Sequence, residues 1–194
     1  MFKSLKNKIS RAILGEQIRD WGVVYENRSG FFKERISLGL YQKDRQLILC
    51  LTYRYTSRIS FNSYTFAIPV FDLDFFVATL RANYDQLCSL ARLPAAAIRA
   101  SDRLPFAQRL MIKIFFGLKG SKLLLDHRNP STDETEFRFN GFITRKSVVK
   151  VLIQSDMDIS QNEGHVISGD GLDAILCALS EYLRTGAERP RRSA

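Results

Sequence analysis

The sequence predicts an α+β protein built from two antiparallel β-meanders, each followed by a helix. Several short runs alternate apolar and polar residues, as strands with one buried face require. Two longer segments carry apolar residues at helical spacing, and each follows a run of strands. The strand–helix junctions also match each other. Ile68-x4-Leu73-Asp74-x5-Leu80 aligns with Ile167-x4-Leu172-Asp173-x5-Leu179 at a constant offset. A ββββα unit used twice is the expected architecture.

Residues 1–20 form an amphipathic basic helix. Phe2, Leu5, Ile9, Ala12 and Ile13 make its stripe, Lys3, Lys6, Lys8 and Arg11 line the rest, and Gly15 stops it. It is expected to pack on the domain, though the same pattern fits a membrane-surface helix or an organelle presequence.

The first strand-rich half spans 21–93. Gly22 to Arg28 is a strand closed by Ser29-Gly30. Arg35 to Gln42 puts Ile36, Leu38 and Leu40 on one face and Arg35, Ser37, Gly39 and Tyr41 on the other. Lys43-Asp44-Arg45 is a hairpin connection. Gln46 to Thr56 is the strongest strand, rich in Leu, Ile, Thr and Tyr. Ile59 to Ile68 completes the meander. Leu73, Phe76, Val77, Leu80, Tyr84 and Leu87 then fall on one helical face, with Asp72 as cap and an end before Pro94.

Residues 94–121 read as a helical linker. Ala95 to Ala97 favour helix and Pro105 interrupts. Phe106 to Phe116 fits a basic amphipathic helix or a strand, of which helix is preferred. The second strand-rich half spans 122–185. It holds strands at Lys122 to Arg128, Thr135 to Lys146, Val148 to Ser155 and His165 to Ile167, with loops at Asn129 to Thr132 and Asp156 to Gly164. Its helix starts near Asp170 and carries Leu172, Ile175, Leu176, Leu179 and Leu183. The tail, residues 186–194, is basic and expected to be disordered.

Composition bounds the function. The 194 residues include 29 Lys+Arg against 20 Asp+Glu, a formal net charge of +9. That excess favours nucleic acid, a membrane surface or an acidic protein as partner. Cys50, Cys88 and Cys177 are too few and too widely spaced for a disulfide framework or a zinc site. They read as buried small hydrophobes in a reducing, cytoplasmic setting. No apolar run reaches the 18 or so residues of a membrane span.

Catalytic and metal motifs fail one by one. His127 and His165 sit in no nucleophile–base pattern. Asp156-x-Asp158-x-Ser160 begins like a calcium loop, but Gln161 stands where Gly is needed and Ile167 where the bidentate Glu is needed. Gly117-Leu118-Lys119-Gly120-Ser121-Lys122 is neither a P-loop nor a dinucleotide fingerprint, and reads as a turn. No enzyme activity, cofactor or metal is expected. Asn27-Arg28-Ser29 is a glycosylation sequon with no secretory signal to make it relevant.

The polar strand faces carry the function. In the first half they offer Arg35, Ser37 and Tyr41, then Thr52, Arg54 and Thr56, then Ser60, Asn62 and Tyr64. In the second half they offer Glu136, Arg138, Asn140, Phe142 and Lys146, then Lys150. Cations that track phosphates, mixed with rings that stack on bases, are what single-stranded nucleic acid requires. The expected binding residues are Arg35, Tyr41, Arg54, Arg58, Tyr64, Arg138, Phe142, Lys146 and Lys150.

The order of elements over roughly residues 21–185, with the charge and the junction match, resembles the ββββα repeats of the PUR-repeat and Whirly families. That resemblance implies binding of single-stranded DNA or RNA on basic, aromatic-bearing sheets. The same order is similar to that of type III secretion chaperones, which implies a protein-binding adaptor that dimerises. Those chaperones tend to be acidic, and this chain is basic. The function expected is non-enzymatic binding of single-stranded nucleic acid. The alternatives are a chaperone-like homodimer with a protein partner, and a membrane-surface protein acting through residues 1–14.

Overall fold

The computed structural model describes residues 14–94, 106–128, 135–155 and 164–186. Expectations for the first helix up to residue 13, Ala95 to Pro105, the Asn129 to Thr132 loop, the Asp156 to Ser160 loop and the basic tail from residue 187 lie outside the described residues.

The α+β class and the ββββα order of each half are as expected. Strands β1 (Glu16–Ser29), β2 (Phe32–Lys43), β3 (Gln46–Thr56) and β4 (Phe61–Val70) pair in that order as an antiparallel meander, and helix α1 (Leu73–Ala91) follows. Helix α2 (Phe106–Phe116) precedes a second antiparallel sheet of β5 (Leu118–Arg128), β6 (Thr135–Thr144), β7 (Val149–Ser155) and β8 (His165–Ser168). Helix α3 (Gly169–Thr185) closes the order.

Local chemistry explains the joints. Asp44 and Arg45 both take positive φ, 48° and 70°, giving the tight hairpin between β2 and β3. The Asp72 carboxylate accepts from the Phe75 N–H at 2.9 Å and caps α1. The Ser168 hydroxyl oxygen accepts from the Gly171 N–H at 3.2 Å and caps α3. The same hydroxyl donates to Glu34 of β2 at 3.1 Å, tying the start of the last helix to the first sheet.

Two strands begin at least four residues earlier than the sequence pattern predicts. β1 begins at Glu16, so residues 16–20 are strand and not part of the first helix as expected; three register shifts, between Gln17/Arg19, Asp20/Gly22 and Val23/Tyr25, break the alternation that would have shown it. β5 begins at Leu118, with a shift between Leu118 and Gly120. The Gly117 to Lys122 segment is therefore not a turn. Gly117 alone is left-handed, at φ 67°, and the rest is strand.

One hydrophobic cluster joins both sheets with α1 and α3. It runs through Ile36, Leu51 and Phe66 of the first sheet, Leu80 and Leu87 of α1, Phe139, Val151 and Ile167 of the second sheet, and Leu172 and Leu176 of α3. The helices cross over. α1 packs on β5, and α3 packs on β1. The Asn83 amide donates to the Leu124 carbonyl at 2.8 Å, and Trp21 meets Tyr182 edge-on at 5.5 Å. Arg81 of α1 is ion-paired with Asp173 of α3.

The outer faces carry smaller clusters. Leu14, Ile48 and Ala67 are buried on the first sheet beside Tyr41 and Cys50. Ile112 of α2 is buried on the second, with Phe142 and Leu152. Leu14 and Phe116 each precede a left-handed glycine, Gly15 at φ 84° and Gly117 at φ 67°. A side chain at Gly15 would lie 2.2 Å from the Gln42 carbonyl oxygen, so the close approach requires glycine. All three cysteines are free. Cys50 is largely buried, and burial pushes its thiol up to about 11. Cys177 is exposed, against expectation, because its side of α3 faces away from the core, beside Arg81.

Phe139 is fully buried in the second half and meets Phe76 of α1 edge-on at 6.0 Å. Phe139→Ala should cost about 3–5 kcal/mol. Because the core is continuous, the loss should appear equally in Trp21 fluorescence, which reports on the first sheet, and in far-UV circular dichroism during urea unfolding. Two separated transitions would contradict the shared core.

Candidate nucleic-acid interface

The register fixes which side chains leave the first sheet on its outer face. Across β1, β2, β3 and β4 the outward rows read Arg28–Lys33–Thr56–Phe61, then Glu26–Arg35–Arg54–Ser63, then Val23–Ser37–Thr52–Thr65. Ile36, Leu38, Leu40, Leu49, Leu51, Phe66 and Ile68 hold the opposite parity and are buried. The cations of rows one and two are thus forced outward by their neighbours' burial.

The two hairpin tips meet at this end, because β2 begins where antiparallel β3 ends. Gly30, at φ 58°, turns the first tip and leaves Phe31 71% exposed. Phe32 is also exposed, and its ring stacks on Tyr55 at 6.0 Å. The second tip is held by Ser57, whose N–H donates to the Ser60 carbonyl at 2.8 Å and whose hydroxyl oxygen accepts from the Ser60 N–H at 3.1 Å. That turn presents Ile59 at 95% and Phe61 at 65% exposure. Arg58 reaches back from it to lie 5.2 Å over the Phe31 ring.

Electrostatics favour anions here. Glu26 is the carboxylate of the first two rows, and it is shared by three cations. Arg35 approaches at 2.5 Å, Arg28 at 2.8 Å and Lys33 at 3.3 Å. The hydrogen bond from Arg35 does most to hold the Glu26 carboxyl down at about 2. Arg54 and Arg58 are exposed and have no ion-pair partner among the described residues. Three cations therefore share one carboxylate, with Arg54 and Arg58 on the same end of the sheet beside the exposed Phe31 and Phe61.

Of the nine residues expected from the sequence, Arg35, Arg54 and Arg58 come together here. Tyr41 is on the same face at its other end, half-buried over Gly39 and in the cluster with Ile48 and Leu14. Burial raises its hydroxyl pKa. Tyr64 was expected on the outer face, and this is corrected: it shares parity with Phe66 and Ile68. It points toward the core and stacks on His165 at 4.1 Å. Asn62 shares that inward parity and Ser60 lies in the turn, so Phe61, Ser63 and Thr65 are the outward residues of β4.

The second sheet supplies further corrections. Phe142 cannot stack on a base, because α2 covers it. It is fully buried, with Phe116 5.6 Å away. Arg138 is held by Asp126 through paired hydrogen bonds of 3.0 and 3.1 Å. Burial works against the Asp126 charge, but those bonds outweigh it and lower the carboxyl pKa. Lys146 is exposed in the β6–β7 turn, and Lys150 lies 5.4 Å from the Phe116 ring. Among the described residues no group of metal ligands forms, and both histidines pack on rings, His127 on Phe137 at 5.1 Å.

Sequence reasoning missed Phe31 and Phe61, together with Arg28 and Lys33. A signal was present. Two phenylalanines directly after a Ser-Gly turn cannot both be buried by a hairpin tip, and one belongs to the solvent.

No family model matches the chain, and no curated protein matches it. Solved structures similar to it at low level include the following. WHY3 from Arabidopsis thaliana is 10% identical, with 85% of this chain and 88% of that one covered, at a TM-score of 0.29. The plant transcriptional regulator PBF-2 is 10% identical, with 88% and 89% covered, at a TM-score of 0.30. Likenesses of that size carry no argument about family or ligand.

The Glu26 cluster is testable on its own. Glu26 has a lowered folded-state pKa, so it stabilises the fold above its ordinary value of 4.5 and loses that contribution as pH falls toward about 2. Carboxyl NMR should show it ionised down to that pH, and Arg35→Ala should move its titration back toward 4.5. A native titration already near 4.5 would show that the cluster does not form.

Proposed function

We propose that the protein binds single-stranded nucleic acid at the hairpin-tip end of its first sheet, without strict sequence preference. The observation that carries this is the juxtaposition of exposed Phe31 and Phe61 with Arg54 and Arg58. Rings of that kind gain from stacking on unpaired bases, and cations beside them gain from the phosphates between those bases. Base pairs would keep the bases from the rings, so duplex should bind more weakly than single strand. Glu26 tempers the site by holding Arg28, Lys33 and Arg35 in place at the cost of one negative charge.

Anisotropy of a labelled oligothymidylate tests the proposal. Binding should weaken steeply with salt, as counterions are released from the strand. Phe31→Ala and Phe61→Ala should each cost about 1–3 kcal/mol at constant salt. Arg54→Ala with Arg58→Ala should weaken binding to all sequences and flatten the logarithmic salt slope by about 1.4, or about 0.7 per phosphate contact. Glu26→Gln should tighten binding. No binding at about 50 mM salt, where phosphate contacts are strongest, would sink the proposal.

A further inference from the structure

A second exposed surface lies on the other sheet and shares no residue with the hairpin tips. Helix α2 buries Ile112 completely and leans Phe116 against Phe142. Its exposed side is largely apolar too, with Arg109 and Lys113 as the charged residues on it. Leu110 and Met111 are exposed, and Ile114 and Phe115 stand 67% and 75% exposed. Val148, after the β6–β7 turn, is exposed too. A surface helix normally turns polar residues outward, so a helix apolar on both sides has its outer face unmatched to water.

Cations rim this apolar strip. Lys113, Arg145, Lys146 and Lys150 line a cleft of about 450 Å³ with Phe115 and Phe116, and no Asp or Glu lines it. None of the four cations has an ion-pair partner among the described residues. The turn that carries two of them is fastened to the helix end. The Arg145 N–H donates to the Gly117 carbonyl at 2.6 Å, and the Lys119 ammonium donates to the Ser147 hydroxyl at 2.9 Å. A side chain at Gly117 would meet the Arg145 stem at 2.9 Å, so glycine lets that stem lie on the chain.

We propose that this surface docks on an anionic lipid bilayer. Leu110, Met111, Ile114 and Val148 have no ring to stack on a base, and hydrocarbon is their natural environment. A ring of cations around an apolar strip matches anionic headgroups around acyl chains. No described helix is long and apolar enough to cross a membrane, and α2 would lie in the interface plane. The hairpin-tip patch, lacking aliphatic stripe and helix alike, has no such match.

Vesicle flotation of the full chain tests the proposal at about 0.1 M salt, where exposed charges still act over about 10 Å. The chain should float with vesicles of equal phosphatidylglycerol and phosphatidylcholine and stay behind with phosphatidylcholine alone. Ile114→Asp with Phe115→Asp, and separately Arg145→Glu with Lys146→Glu, should each cut partitioning about tenfold or more. These positions are exposed, so far-UV circular dichroism should be unchanged in both, and Ile114→Asp with Phe115→Asp should leave oligonucleotide affinity unchanged as well. The proposal is overturned if the chain does not float with the anionic vesicles, floats equally with both kinds, or floats undiminished after Ile114→Asp with Phe115→Asp. Loss of oligonucleotide affinity with vesicle binding intact would also overturn it and assign the surface to nucleic acid.

Discussion

The inward faces of two separate sheets share one core with α1 and α3, and the rest of the molecule depends on that arrangement. Neither half encloses its core alone. The helix that ends the first half packs on the strand that starts the second, and the helix that ends the second packs on the strand that starts the first. Glu34 at the cap of α3, Asn83 at the Leu124 carbonyl and Arg81 paired with Asp173 are polar ties across the same divide. They give direction to a contact that apolar burial alone leaves unspecific.

Once the inward faces are committed, every other residue of each strand is sent outward. What meets the outward residues then differs between the sheets. On the first sheet the Leu14 cluster covers one end and leaves the hairpin tips open to water. On the second, α2 lies on the face and turns a would-be binding surface into a small core around Phe142. A repeated unit thus yields two unlike surfaces. One is aromatic and arginine-rich, and the other is aliphatic and rimmed with cations.

The fold was largely legible in the sequence, because burial on one face writes alternation into β2 and β3 and helical spacing into α1 and α3. The departures have physical causes. Bulges in β1 hid its first residues, and Gly117 with Gly120 made the start of β5 look like a turn. The site was legible in part. Arg35, Arg54 and Arg58 could be read from strand parity and a turn. Tyr64 could not, since its parity is settled by Phe66 and Ile68 and not by its own polarity. Phe142 and Arg138 follow the predicted parity, but a helix and an aspartate from elsewhere in the chain claim them. Tertiary partners of that kind leave no trace in a strand's own pattern.

The hairpin-tip site is tested most directly by mapping backbone amide shifts of the full chain as a short oligothymidylate is added. Shifts should concentrate in the two tips, at Arg28 to Arg35 and Arg54 to Phe61, and leave Lys146 and Lys150 unmoved. Shifts centred on the second sheet, or spread evenly over the surface, would contradict the assignment of the site.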